Sequence, residues 1–194
     1  MATSLREPIL KACFQPGNLV FAGGEEANNK LELENLRHCP DLRSLVAARV
    51  GKLVREYNPD LIIPVPNGAN WLGQDIARAR GIGCVLLGKN AETKEIYYPS
   101  NIQKQIVEGS QSIVIIEDAL NKLITTKKVL ALPGIAEKCL AVAGIWRRGD
   151  LGLVLPRYLE SAENEDDYIP VQAVINEFIP AQLPDDSELW RYAL

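Results

Sequence analysis

The chain is 194 residues long, 47 % hydrophobic and 24 % charged, with a formal net charge of −4. That balance is ordinary for a soluble globular protein and argues against a general nucleic-acid binder, which would be basic. No apolar run approaches the roughly 20 residues that span a bilayer, and the stretch from Met1 to Gln15 has no signal-peptide core. The cysteines, Cys13, Cys39, Cys84 and Cys139, show neither metal nor redox spacing. A cytoplasmic protein with reduced thiols is therefore expected. His38 is the only histidine, so a histidine-centred triad or metal site has no support, and it reads as a loop residue.

In chain order, Leu5 to Cys13 reads as a short amphipathic helix. Gly23-Gly24 marks a turn, and Lys30 to Glu34 alternates with period two, as a half-buried strand does. Asp41 is placed to cap a helix over Leu42 to about Tyr57, which Asn58-Pro59-Asp60 ends. Leu61 to Val65 is a buried strand, followed by the turn Pro66-Asn67-Gly68-Ala69-Asn70, a helix through about Arg80 and a third strand over Gly83 to Leu87. Gly88 to Glu108 reads as a long polar loop carrying Lys89, Lys94 and Lys104. Ile113 to Ile116 is a strand buried on both faces, as in a parallel sheet, with Glu117 and Asp118 at its C-terminal end. That edge is where open α/β sheets bind ligands, and a carboxylate there can accept from ribose hydroxyls. A helix over about Lys122 to Leu132 and a strand over Lys138 to Ile145 follow. Glu160 to Asp167 reads as a solvated acidic loop, Val171 to Ile175 as an edge strand, and Leu189, Trp190 and Tyr192 as a tail docked on the body. The alternation of strand and helix predicts one α/β domain over 1–194, an open, mostly parallel twisted sheet flanked by helices.

Taken together and in order, these segments resemble the type I phosphoribosyltransferases, and among them the orotate phosphoribosyltransferases, over about Leu5 to Gly152. Ala22-Gly23-Gly24 with Lys30 to Leu33 resembles that family's N-terminal hood, Pro64 to Ala69 its pyrophosphate loop, and Lys89 and Lys94 with Gln105 to Gly109 its mobile lysine loop and the strand entry after it. Ile115 to Asp118 resembles its ribose-binding acids, and Trp146-Arg147-Arg148-Gly149 its Asp-Arg pair near the base. The resemblance implies a hood of about 1–40 plus C-terminal residues over a core of about 41–150. It implies Glu117 and Asp118 beneath the ribose, where carboxylates stabilise an oxocarbenium-like transition state. Pyrophosphate falls to Asn67, Gly68 and Ala69, and loop closure to Lys89 or Lys94, with Lys104 a third candidate. The 5-phosphate falls to Ala119, Asn121, Lys122, Thr125 and Thr126, and the base to Arg148. Mg²⁺ is the implied cofactor, held by water and phosphate oxygens with no dedicated set of protein ligands. The implied partners are phosphoribosyl pyrophosphate and a small base, orotate favoured, in a homodimer that uses neither nucleic acid nor membrane.

The chain also departs from the pattern. The loop after the acids, Ala119 to Thr126, has no glycine, and Leu123 and Ile124 fall where small residues are expected. A β-branched residue is an outlier in the left-handed region, so a conventional phosphate nest is not expected there. Ala22 stands at the hood position often held by lysine, Gly88 replaces the arginine that opens the mobile loop, and Arg147 replaces the aspartate of the base-side pair. Two functions follow: an orotate phosphoribosyltransferase of pyrimidine nucleotide synthesis, or a protein of the same fold that binds a nucleotide or regulates without turnover.

Overall fold

A computed structural model describes residues 4–20, 24–148, 154–156 and 168–193. At its centre is a six-stranded sheet in the order β4-β3-β7-β8-β10-β9. The strands are β3 (Leu61–Pro64), β4 (Gly83–Cys84), β7 (Ile113–Leu120), β8 (Cys139–Arg147), β9 (Val154–Pro156) and β10 (Tyr168–Asn176). All pair in parallel except β9, which runs antiparallel to β10. Outside this sheet, β1 (Phe14–Val20) and β2 (Glu26–Leu31) form a hairpin, as do β5 (Gly88–Lys89) and β6 (Ile96–Tyr97). Helices α1 (Arg6–Cys13), α2 (Pro40–Arg55), α3 (Asn70–Arg80), α4 (Asn101–Gly109) and α5 (Ile124–Leu130) complete the layers.

The two-sided burial follows from the apolar runs. Successive strand residues face opposite sides of a sheet, so Ile62, Val114 and Ile116 enter one hydrophobic cluster with α1, α2 and α3. Leu61, Ile63, Ile113 and Ile115 enter the other, with Val107 of α4 and Val129 of α5. Burying both faces favours β-branched residues along the whole strand, with no polar alternation. The β1–β2 hairpin is held to the C-terminal segment by Asn28 and Asn29. Asn29 Nδ2 donates to the carbonyls of Pro180 and Ala181 at 3.0 Å, and Asn28 Nδ2 to that of Leu183 at 2.8 Å. The tail docks as expected: Leu189 and Tyr192 are buried, and Trp190 meets the Phe14 ring edge-on at 6.0 Å.

Several expectations are corrected. Helix α2 starts at Pro40 behind Cys39, so Asp41 lies in its first turn and is not the cap. Proline at the first helical position gives up an amide that had no partner anyway. β2 ends at Leu31, and Leu33–His38 is a 3₁₀ helix whose His38 accepts from Arg37 Nε at 2.9 Å. β4 ends at Cys84, earlier than expected, although Val85 N still donates to the Ile62 carbonyl at 3.0 Å. The long loop 88–108 is the β5–β6 hairpin followed by α4, whose N-terminus is capped by the Ser100 hydroxyl accepting from Ile102 N at 3.2 Å. β10 is an interior strand, because β9 covers its outer side. The acidic run 160–167, Ala22 and Gly149 lie outside the described residues.

Candidate functional site at the carboxyl edge of the sheet

Parallel pairing of β3 with β7 (Pro64 opposite Ile116) brings the turn after β3 beside the acids of β7. Asp118 lies against Gly68. A Cβ at position 68 would come within 2.4 Å of Asp118 Oδ2 and 3.1 Å of its Cγ, so only glycine lets this bend approach the carboxylate. The Pro66–Asn67 peptide is cis. Within the bend, Ala69 N donates to the Val65 carbonyl at 3.3 Å and Asn70 N to that of Asn67 at 3.1 Å. The amides of Asn67 and Gly68 donate to no group among the described residues. Asn67 is exposed and Ala69 is buried, so an incoming anion would meet backbone, with Asn67 the side chain at the rim.

The two acids are held differently. Glu117 accepts from the Thr126 hydroxyl. Burial pushes its pKa up to about 8; Asp118 raises it further, while the Thr126 bond and the charge of Lys89 act against the rise. Asp118 accepts from Ala119 N at 2.7 Å. Its pKa is also raised, by burial first, with Glu32 and Glu34 of the hood adding negative potential. Neutral pH therefore finds Glu117 mostly protonated, able to donate one hydrogen bond and accept others.

The turn after β7 differs from its expected form. The strand runs two residues past the acids, so Ala119 is paired opposite Trp146 and Leu120 opposite Arg147. Leu123 takes φ 55° and ψ 27°, the left-handed conformation, and Ile124 opens α5 with helical backbone. The left-handed turn thus forms without glycine, because the residue in it is unbranched at Cβ and the β-branched one follows it. The Leu123 side chain is 4 % exposed and packs in the second cluster, while the amides of Asn121, Lys122 and Leu123 donate to no group among the described residues. Two side chains assigned to phosphate have other partners. Thr126 is fully buried on Glu117, and Lys122 Nζ meets Glu25 at 2.8 Å. Thr125 is half-buried in the first turn of α5.

The lysines separate clearly. Lys89 is half-buried in β5, within electrostatic reach of Glu117. Lys94, at the hairpin tip, donates to the Ala91 carbonyl and accepts from Lys128 through its own carbonyl at 3.1 Å. Lys104 sits on α4 with Glu108 at 3.7 Å. Gly88 lies under the Tyr97 ring, 2.5 Å from where its Cβ would be; any side chain there would displace the ring. Arg148 is 4 % exposed. Its Nε donates to the Ile179 carbonyl at 3.1 Å and its guanidinium to Asn29 Oδ1 at 2.5 Å, joining β8, the hairpin and the C-terminal segment. Burial lowers its pKa to about 10. Sequence reasoning placed it on the base and missed its bracing contacts, which involve residues more than 30 positions away.

No protein-family model matches the chain. Among solved structures it is similar to the UMP synthase of Leishmania donovani (20 % identity, TM-score 0.64), covering 96 % of this chain and 37 % of that one. Similarity extends to orotate phosphoribosyltransferase of Mycobacterium tuberculosis (16 %, TM-score 0.59, covering 89 % of this chain and 94 % of that one). It also extends to an adenine phosphoribosyltransferase of Trypanosoma brucei bound to AMP, pyrophosphate and ribose-5-phosphate (16 %, TM-score 0.62, 95 % and 86 %). The chain has the type I phosphoribosyltransferase fold. A curated relative, a probable glutamine–fructose-6-phosphate aminotransferase of Acanthamoeba polyphaga mimivirus, is 32 % identical over 75 residues, which span 38 % of this chain and 12 % of that protein. Among the described residues, no helix is long and apolar enough to cross a membrane.

Proposed function

We propose that this chain is a phosphoribosyltransferase that binds phosphoribosyl pyrophosphate at the β3–β7 edge and transfers its ribose 5-phosphate to a small base, orotate favoured. The observation that carries this reading is the seating of Asp118 against Gly68 with Glu117 beside it. The Asp118 carboxyl and the free amides of Asn67 and Gly68 thereby share one surface, and Glu117, one residue earlier in β7, meets Thr126 and the charge of Lys89. Two further supports are the left-handed turn at Leu123, which presents unspent amides past the acids, and Lys89 across from Glu117. Orotate is favoured by the hood and loop resemblance; the similar solved structures include both orotate and adenine phosphoribosyltransferases. A homodimer belongs to the same reading and is tested by sedimentation.

In this reading Glu117, neutral near pH 7, orients the ribose hydroxyls by donating and accepting hydrogen bonds, and Asp118, when ionised, stabilises positive charge as the bond from C1 to pyrophosphate breaks. Asn67 and Gly68 amides receive the leaving oxygens. Lys89 adds positive charge at the mouth and Asn121 to Leu123 take the 5-phosphate. Mg²⁺, when bound, neutralises pyrophosphate charge. The acid pair fits that limited role, since Mg²⁺ takes one or two carboxylates and keeps water and phosphate oxygens. A cluster of three or more histidine, cysteine or acidic side chains able to cage a metal is absent among the described residues.

The second reading, binding without turnover, is favoured by a specific group of contacts. Lys122 is held by Glu25, the Lys94 head is folded onto its own loop, and Tyr97 covers Gly88. The discriminating assay incubates the full chain with phosphoribosyl pyrophosphate, Mg²⁺ and orotate, then with adenine, hypoxanthine or uracil in its place. Consumption of orotate that disappears in Glu117→Gln/Asp118→Asn supports the enzyme. Saturable binding of phosphoribosyl pyrophosphate with no consumption of any base supports the second reading.

A further inference from the structure

A cleft lies along the seam where α2 meets α3, apart from the acid pair. It is broadly open to solvent, with a volume of about 880 Å³, within the roughly 300–1,000 Å³ typical of small-molecule sites. Its apolar lining is Ala47, Ala48, Gly51, Ile76 and Ala79, of which Ile76 is buried and Ala48 and Ala79 are exposed. At Gly51 a Cβ would stand 3.7 Å from Ile76 Cγ2, so the helices touch there and a longer side chain would project into the cleft. Cations dominate the walls: Arg37, Arg43, Lys52, Arg55, Arg78 and Arg80 face a single acid, Asp75. This occurs in a chain whose formal charge is −4.

Pairing divides these cations into two groups. Arg43 is committed to Asp75, at 2.6 and 2.9 Å, and Arg37 to Glu34 at 2.6 Å. Lys52, Arg55, Arg78 and Arg80 form no ion pair among the described residues. All four lie in the last turns of α2 and α3. Those ends lead into β3 and β4, at the sheet edge opposite the acid pair. A last-turn cation ordinarily complements the helix end and stays in water. Here two helix ends deliver four cations to one cleft, and Arg80 Nε is buried without a hydrogen-bond partner. A buried donor without a partner is costly, and an anionic oxygen bound beside Arg80 would supply one.

We propose that this cleft binds a small polyphosphate-bearing anion of the nucleoside di- or triphosphate class, separately from the ribose site. The phosphates lie among Lys52, Arg55, Arg78 and Arg80, and the uncharged body lies over Ala47 and Gly51. The lining residues include no aromatic side chain on which a nucleic-acid strand would stack. A second copy offering the same face would set like charges against one another. Both features favour the small anion.

The test is isothermal titration of the full chain with ATP, GTP and inorganic triphosphate in turn. Saturable binding of at least one is expected, weakened about tenfold or more in Arg55→Glu/Arg78→Glu. Both positions are exposed, and an unchanged thermal melt confirms that the fold is intact. The same binding is expected to persist in Glu117→Gln/Asp118→Asn, so the outcome is independent of the ribose site. Absence of saturable heat with all three probes overturns the proposal. So does a loss that follows the acid-pair substitutions instead of the arginine reversals, or a short single-stranded RNA that binds more tightly than every probe.

Discussion

The turns after β3 and after β7 leave the same edge of one sheet and solve the same steric problem in opposite ways. The first makes room by omission: Gly68 has no side chain, and Asp118 occupies the space. The second keeps its side chain and hides it, with Leu123 left-handed at φ 55° and its isobutyl group in the core. Among the described residues both leave backbone amides unspent, Asn67 and Gly68 in one and Asn121 to Leu123 in the other. A left-handed turn with free amides therefore does not require glycine when the left-handed residue can anchor inward. What it gives up is adjustability, because a buried leucine ties the turn to the packing beneath it.

The sharpest way to break this comparison is Gly68→Ala. The new methyl would lie 2.4 Å from Asp118 Oδ2, so either the bend or the carboxylate must move. A loss of about 2–3 kcal/mol in urea denaturation is expected, in the range of overpacked sites, together with loss of phosphoribosyl pyrophosphate binding. Native stability and affinity would show that the bend is not held as described. Leu123→Gly probes the other turn. It removes a buried side chain, costing about 2–4 kcal/mol, and relieves about 1 kcal/mol of left-handed strain. A net destabilisation near 2 kcal/mol is expected in the same denaturation experiment. Glycine and serine across Leu123-Ile124 are expected to tighten phosphoribosyl pyrophosphate binding, and unchanged affinity by calorimetry would remove the ligand from that turn.

Glu117→Gln sharpens the account of the acids through pH. Below pH 4 both folded and unfolded chains hold the Glu117 proton. Between the ordinary value of 4.5 and about 8, the folded chain keeps a proton that the unfolded chain releases, so native stability falls as pH rises. Glutamine has no proton to lose and can still accept from Thr126. The variant should match the native chain at pH 4 and exceed it by about 4–5 kcal/mol at pH 9; an equal gap at both pH values would contradict the raised pKa. The smallest effect is expected from Lys122→Ala. Its pair with Glu25 is about half exposed, so denaturation should register less than about 0.5 kcal/mol.

The parts of the fold that were legible in the sequence are those where one physical demand dominates. Ile113 to Ile116 is buried on both faces, and only a run of β-branched residues meets that demand. The bend at 67–69 and the acids were legible because strand, turn and helix signals follow one another there without a gap. Helix α4 was hidden because Ile102 and Ile106 are exposed and only Val107 is buried, so its periodicity does not mark a core face. β10 looked like an edge strand because its alternation is weak, and nothing local announces that three residues of β9 cover it. Within the site, residue identity placed the acids at the carboxyl end of β7 but did not give their partners. That Thr126 would be spent on Glu117, Lys122 on Glu25 and Arg148 on Asn29 depends on tertiary contacts that sequence spacing does not encode.

The central claim is that Glu117, Asp118 and the Gly68 bend form one ribose-pyrophosphate surface. It is tested most directly by calorimetric titration of the full chain with phosphoribosyl pyrophosphate and Mg²⁺, beside the Glu117→Gln/Asp118→Asn variant. The account predicts saturable one-to-one binding to the native chain and at least about a tenfold weakening in the variant. Equal binding by the two proteins, or no binding by the native chain, would contradict it.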